Sequence, residues 1–353
     1  MARAQRSLAG QVVAITGGAR GIGRATAAAL IRQGARVAIG DIDVALAQST
    51  AQALGAPTLG LALDVTDRAS FDAFLGEVER RFGPLDVLIN NAGIMPIGAF
   101  VEETDATAER LIDINLHGVI FGSKLALERF LPRGRGHLVN IASSAGKAGF
   151  PGGATYCATK HAVVGLSEAI RAEVRGTEIA VSIVMPVVVN TELGSGLPET
   201  RGVKPVEPED VAEAIVEALQ TGRVDVFVPK SVGRLFGVMA LVPRGVSDAV
   251  TKALKGDQVL SNPDHTARAA YERRLAASFT AASSGPSAAS DGPAASNGPA
   301  ASDGPAASDG PAASDGPAAT DGPAATEPPA AADAAGIAET TGACTDERET
   351  QIV

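Results

Sequence analysis

Residues 12 to 23 read VVAITGGARGIG, from Val12 to Gly23, and this stretch decides the fold. An unbroken run of apolar and β-branched residues suits a strand covered on both faces. The run ends at Thr16 and passes through a glycine-rich turn into a helical pattern. Glycines at 17, 21 and 23 permit a tight turn, admit backbone N–H groups close to a pyrophosphate, and let the next helix pack near the sheet. Their spacing is G-x-x-x-G-x-G rather than the commoner G-x-G-x-x-G. A ligand-free glycine turn is the alternative, but strand, turn and helix stand in the order a dinucleotide requires. Gly17, Arg20, Gly21, Ile22 and Gly23 are the candidate phosphate-side residues.

Outward from this turn, strand-length apolar runs alternate with helical stretches. Further strands are expected at Arg36 to Ile39, Leu59 to Leu63, Val87 to Ile89, His137 to Ile141, Val181 to Met185 and Val224 to Val228. Helical patterns occupy Ile22 to Gln33, Arg68 to Phe82, Ala106 to Phe130 (two helices meeting near Gly118) and Thr155 to Arg175. The alternation predicts an α/β fold: a single doubly wound Rossmann-type domain with a seven-stranded parallel sheet, over residues 1–255. A helical extension at 256–280, densest at Thr266 to Ala277, leads to a tail over 281–353. In the tail a six-residue Gly-Pro repeat runs from Gly285 to Gly322 with alanine as its only apolar residue. Nothing there would offset the entropy of ordering, so disorder is expected.

Composition removes several functional classes. The tail holds eleven acidic residues and one base, Arg348, which accounts for the net charge of −10 of all 353 residues. The remainder is neutral and gives no electrostatic reason to bind nucleic acid. Two cysteines, Cys157 and Cys344, make no disulfide framework and no metal-ligand spacing with the four histidines, so no metal is expected and a reducing cytoplasm is the default. The N-terminus lacks the apolar core of a signal peptide. The longest late apolar run, Leu235 to Val242, is too short to span a bilayer.

Three further features carry chemistry. Asp41 follows the second strand, eighteen residues after Gly23, where a carboxylate accepts from adenosine ribose hydroxyls and repels a 2′-phosphate. NAD is therefore favoured over NADP, with a helix-capping role for Asp41 or Asp43 as the alternative and Arg20 partly offsetting the repulsion. Tyr156 and Lys160, in YCATK, stand four apart on one helical face. A neighbouring ammonium and an oxidised nicotinamide ring would lower a phenol that ordinarily titrates near about 10. Ser143 stands thirteen residues before Tyr156 at the end of a strand, on the sheet edge where ligands of open α/β folds bind.

With these motifs assembled, the chain resembles the single-domain branch of the short-chain dehydrogenase/reductase family over about residues 8–230. The resemblance rests on TGGARGIG, Asp64-Val65, Asn90-Asn91-Ala92-Gly93, Asn115, Ser143 and YCATK, in that order. It implies that Tyr156 is the general acid/base, that Ser143 holds the substrate oxygen, and that Lys160 binds the nicotinamide ribose while lowering the Tyr156 pKa. Asn115 would kink its helix and hold a water of the proton relay. Asp64 and Val65 would contact adenine, and Asn91, Ala92 and Gly93 would line the adenosine side. A homodimer or homotetramer is implied as well.

One departure stands out. The family pattern Pro-Gly-x-Val-x-Thr reads here Pro186-Val187-Val188-Val189-Asn190-Thr191. Val189 and Thr191 keep the positions expected to meet the nicotinamide carboxamide, whereas Val187 cannot readily take positive φ. Substrate choice falls to residues 194–206 and to the mostly apolar Val232 to Val246, which favour a lipophilic alcohol or ketone over a sugar. Core closure, a subunit contact or peripheral membrane contact near Lys230, Arg234 and Arg244 are the other uses of that stretch. A dinucleotide-sensing protein without redox chemistry is the competing reading of the whole, and it would be expected to have lost Tyr156 or Lys160.

Overall fold

The computed structural model describes residues 6–198, 204–239, 241–254 and 258–283; the expected tail beyond residue 283 lies outside the described residues. The first half alternates β1 (Val12–Thr16), α1 (Gly21–Arg32), β2 (Arg36–Asp41), α2 (Val44–Leu54), β3 (Thr58–Ala62), α3 (Arg68–Phe82) and β4 (Val87–Asn90). The second half holds α4 (Asp105–Ile112), α5 (Gly118–Phe130), β5 (Arg135–Ile141), α6 (Ala154–Glu173), β6 (Glu178–Pro186), α7 (Pro208–Thr221) and β7 (Asp225–Val228). Three helices follow: α8 (Lys230–Met239), α9 (Arg244–Ala253) and α10 (His265–Ser283).

Among the described residues the strands form one seven-stranded sheet in the order β3-β2-β1-β4-β5-β6-β7. Every pairing is parallel, for example Val13 with Val37 on one side and with Val87 on the other. The order reverses between β1 and β4, which opens a crevice at their carboxyl ends where a doubly wound sheet binds ligands.

Side-chain alternation along each strand divides the interior into two layers. Val13, Ile15, Val37, Ile39, Val87 and Ile89 face α1 and α7, meeting Ala27, Leu30, Val211 and Ile215. Val12, Ala14, Leu88 and Leu138 face the other way, onto Phe71, Leu75, Leu125 and Phe130 of α3 and α5. Burial on both faces explains why these strands read as continuous apolar runs.

Local chemistry sets the helix starts. Asp43 and Asp67 cap α2 and α3 by accepting from Leu46 N–H at 3.0 Å and Ala69 N–H at 2.9 Å. At α7, Glu207 and Asp210 form a reciprocal capping box around Pro208. The junction expected near Gly118 is a π-helical turn, Asp113–His117, that joins α4 to α5. Strand β3 begins and ends one residue earlier than expected, and β5 and β6 start two and three residues earlier. Most of α8 and the start of α9 fall in the apolar stretch Val232 to Val246, and α2, α7, α8 and α9 carried no secondary-structure assignment from sequence.

Candidate active site

The end of β1 is tied to the end of β4. The Thr16 hydroxyl accepts from the N–H groups of Asn91 and Ala92, each at 2.9 Å. The Asn91 carboxamide donates back to the carbonyls of Thr16 at 2.9 Å and Gly17 at 3.0 Å. Gly17 and Gly21 adopt φ of 61° and 47°, a left-handed conformation that other residues rarely take. A Cβ on Gly23 would stand 2.4 Å from the Gly17 carbonyl oxygen. The helix that follows, α1, starts at Arg20 with no side-chain cap and no acidic residue in its first turn. Its first N–H groups therefore lack a side-chain partner and point from a glycine turn, an arrangement that fits a pyrophosphate.

Asp41 closes β2 beside this turn. Its carboxylate accepts from Ala19 N–H and Asp43 N–H, both at 3.2 Å. Burial nonetheless raises its pKa, with the two backbone bonds and Arg20 pulling the other way. The Arg20 guanidinium is already bracketed by carboxylates, 2.7 Å from Asp43 and 3.8 Å from Glu192. On the neighbouring edge the Asp64 carboxylate accepts from the N–H and hydroxyl of Thr66, at 2.9 and 2.7 Å. Val65 is buried, close against Gly118.

The residues of the second half converge on the carboxyl ends of β4 and β5. Ser143 follows β5, where its hydroxyl oxygen accepts from Ala145 N–H at 3.1 Å and is hydrogen-bonded to Tyr156. Tyr156 lies in the first turn of α6 and is 7% exposed. Burial is the dominant influence and pushes the phenol above its ordinary range; the Ser143 bond opposes this, and Cys157 and Tyr271 add to it. The Lys160 ammonium lies 5.8 Å from the Tyr156 ring centroid and donates to the Ile141 carbonyl at 2.9 Å. Burial pushes Lys160 down to about 8. Desolvation sets the phenol's direction, upward, so the lowering expected from Lys160 together with an oxidised nicotinamide ring is not reached by the ammonium alone.

Asn115 occupies the π-helical turn and is fully buried. Its oxygen accepts from Ile94 N–H and its amide donates to Ile94 C=O, both at 2.9 Å. The carboxamide therefore fastens the segment after β4 to the helix, and its nitrogen also lies 3.4 Å from the Thr159 hydroxyl. A Cβ on Gly93 would stand 3.2 Å from the Asn115 oxygen and 3.7 Å from the Lys160 ammonium, so the chain passes between them closely.

The segment after β6 covers the other side. Val189 is buried and forms an isolated parallel bridge with Val206. The Thr191 methyl is 3.1 Å from where a Gly21 Cβ would be, which places this segment against the phosphate turn. Val187, at the family's glycine position, donates its N–H to Val228 at 3.0 Å and continues the sheet edge. Beside it a pocket of about 110 Å³ is lined by Val187, Val188, Val232, Leu235, Phe236 and Met239 among others, with Ser144, Lys204 and Thr251 as polar members.

Sequence reasoning missed three contributors. Thr16 is signalled only by its place at the strand end, and Arg268 and Tyr271 only by their i, i+3 spacing on a charged helix. Arg268 is fully buried and donates to the carbonyls of Met95, Leu193 and Ser195, while the Tyr271 hydroxyl accepts from Met95 N–H at 2.8 Å.

Comparison with known proteins adds an independent line. A family model described as short chain dehydrogenase matches residues 11–202. Sorbitol dehydrogenase of Cereibacter sphaeroides is 40% identical over 191 residues, which cover 54% of this chain and 75% of that protein. The rat (Rattus norvegicus) 17-beta-hydroxysteroid dehydrogenase 13 is 31% identical over 254 residues, covering 70% of this chain and 84% of the relative. Among solved structures, a short chain dehydrogenase/reductase from Burkholderia phymatum in complex with NAD matches with a TM-score of 0.62 at 26% identity. That match covers 67% of this chain and 94% of the other.

Proposed function

The chain belongs to the short-chain dehydrogenase/reductase family and is an oxidoreductase acting on CH–OH groups with a nicotinamide dinucleotide, and within that class we propose that it interconverts a lipophilic secondary alcohol and its ketone with NAD. The observation that carries the chemistry is the hydrogen-bonded Ser143–Tyr156 pair with the Lys160 ammonium over the phenol ring. When bound, the nicotinamide supplies the hydride acceptor or donor. Gly17, Gly21, Ile22 and Gly23 would hold its pyrophosphate at the start of α1. Asp64, Val65, Asn91, Ala92 and Gly93 would flank the adenosine side, and Val189 and Thr191 the carboxamide.

In the oxidative direction Tyr156 takes the hydroxyl proton of the substrate, and Ser143 donates to the oxygen as charge builds on it. Lys160 would stabilise the phenolate by proximity and would hold the nicotinamide ribose. Burial of the phenol raises the cost of ionisation, so phenolate formation depends on positive charge brought close to it.

Asp41 supports NAD over NADP: its carboxylate stands beside the glycine turn at the end of β2, where it would meet a ribose, and Arg20 is already engaged by Asp43 and Glu192. The pocket beside Ser144 supports a lipophilic substrate, since Val187, Val188, Val232, Leu235, Phe236 and Met239 give a polyol few hydroxyl partners. A soluble homo-oligomer of the cytoplasm is the accompanying reading; among the described residues no helix is long and apolar enough to cross a membrane. A non-catalytic sensor is disfavoured because Tyr156 and Lys160 are both in place. The test is a screen of NAD and NADP against steroid-like, fatty and polyol secondary alcohols, followed by absorbance of the reduced nicotinamide. Faster turnover of the polyols than of every apolar alcohol would overturn the substrate reading, and reduction of neither nucleotide would overturn the rest.

A further inference from the structure

The helix α10 lies wholly beyond residues 11–202 matched by the family model, yet it is bonded to the segments that follow β4 and β6. Arg268 is fully buried. One terminal nitrogen of its guanidinium donates to the carbonyls of Leu193 at 2.8 Å and Ser195 at 3.1 Å. The other donates to the carbonyl of Met95 at 2.5 Å. Met95 belongs to the segment that Asn115 anchors after β4, and Leu193 and Ser195 belong to the segment that carries Thr191 after β6. A single planar fork thus joins the segment after β4 to the segment after β6.

Neighbouring contacts repeat the same link. The Tyr271 hydroxyl accepts from Met95 N–H at 2.8 Å, and its ring stacks under the Arg268 guanidinium at 4.7 Å. On the other side Asp264 N–H donates to Gly196 C=O at 2.7 Å, and the Ser195 hydroxyl donates to Ala267 C=O at 2.8 Å. Arg274 pairs with Glu192 at 2.6 Å, and Glu192 stands 3.8 Å from Arg20 in the phosphate turn. Glu272 lies 3.6 Å from the Arg268 Nε, which has no hydrogen-bond partner among the described residues. The charge of Arg268 is therefore balanced mainly by main-chain carbonyl dipoles and one distant carboxylate. Burying a guanidinium is costly unless its donors are well placed, and here the donors go to loop carbonyls that no sheet or helix would otherwise satisfy.

We infer that Arg268 is a positioning residue that sets the width of the substrate crevice, so that α10 determines substrate affinity without touching the reacting atoms. The inference rests on the proposed oxidoreductase reading for its kinetic part. A lysine cannot replace it fully, because a point-like ammonium does not match a fork aimed at two segments at once.

The experiment uses the full chain with Arg268→Lys, Arg268→Met and Tyr271→Phe. Steady-state kinetics are measured with the best alcohol from the screen, and NAD dissociation by quenching or calorimetry. Arg268→Met should raise the KM for the alcohol by about tenfold or more, since small misplacements of a site are amplified strongly. Its kcat should fall less than threefold, and its NAD affinity should stay within about twofold, as α10 gives the phosphate turn only the outer Glu192 contact. Arg268→Lys should fall between wild type and Arg268→Met. Unchanged KM in all three variants, or equal loss of NAD and alcohol affinity, would overturn the inference. Hydrogen exchange gives a readout independent of turnover. The Met95 amide should lose protection in Tyr271→Phe, and the amides of residues 193–197 should do so in Arg268→Lys. Intact protection at both places would overturn the inference even if no substrate were found, whereas absence of turnover with altered protection would count only against the oxidoreductase reading. Should Arg268→Met not fold, the other two variants decide.

Discussion

The Lys160 ammonium lies 5.8 Å from the centre of the Tyr156 ring and is fastened to the Ile141 carbonyl at 2.9 Å. The cation is thereby held over the phenol face from the end of β5, two strands away from the strand that leads into the glycine turn. Both groups are buried, and burial penalises the charged form of each: the phenol is pushed up and the ammonium down to about 8.

Tyr156→Phe removes the hydroxyl proposed to exchange a proton with the substrate oxygen while leaving the ring in the cluster with Met95 and Leu111. Turnover should fall by about 10²- to 10⁴-fold, with NAD affinity nearly unchanged. Steady-state rates alongside NAD titration check this, and a variant retaining more than a tenth of wild-type turnover would contradict it.

Asp41→Ala takes away the carboxylate that closes β2. The ratio of NADP to NAD use, measured as kcat/KM for each, should rise by about tenfold or more, corresponding to about 1.4 kcal/mol. The loss of two backbone hydrogen bonds from Ala19 and Asp43 should also weaken NAD itself. An unaltered ratio would show that Asp41 only shapes the turn.

Two glycine substitutions should move in opposite directions. A Cβ on Gly23 would stand 2.4 Å from Gly17 O and 2.8 Å from the Asn91 amide nitrogen, so Gly23→Ala should cost about 1–3 kcal/mol of stability and weaken NAD binding. Gly165, in the middle of α6, has open space around the added carbon. Gly165→Ala should therefore stabilise by about 0.5–1 kcal/mol. Chemical denaturation of both variants gives the comparison, and a stable, NAD-binding Gly23→Ala protein would show that the turn can relax.

His137 sits inside β5 with its Nε2 2.8 Å from the Ser182 hydroxyl, which itself donates to the Arg223 carbonyl. The imidazole must then donate from Nε2 in its neutral form. Burial, aided by Arg6, pushes its pKa down to about 3, whereas an unfolded chain titrates near about 6.5. Between those values the unfolded state binds more protons, so stability falls as pH falls, by at most about 1.4 kcal/mol per pH unit. Urea unfolding at pH 7 and pH 5 should show a smaller loss for His137→Gln than for wild type; equal losses would refute the assignment.

Much of the architecture was legible because two-faced burial leaves a simple mark. Continuous apolar runs such as Val12–Thr16 and Val87–Asn90 have cores on both sides, and Arg68–Phe82 is bounded by an aspartate cap and a glycine that sequence rules recognise. The candidate site was legible for a related reason: Tyr156 and Lys160 are linked by helical spacing, and the glycine turn by its chain order. Ends of β5 and β6 were harder to place, since Arg135 and Glu178 pair with each other on the sheet although nothing apolar marks them.

Sequence alone determined the doubly wound sheet, the glycine turn after its first strand and the identities of the groups at its edge, because local spacing and strand burial leave periodic signals in neighbouring residues. Only the tertiary structure decided that burial raises the phenol, that the Asn115 carboxamide is shared between Ile94 and Thr159, and that Arg268 reaches Met95 and Leu193. Those outcomes depend on desolvation and on hydrogen bonds between residues far apart in the chain, and neither leaves a mark in local pattern.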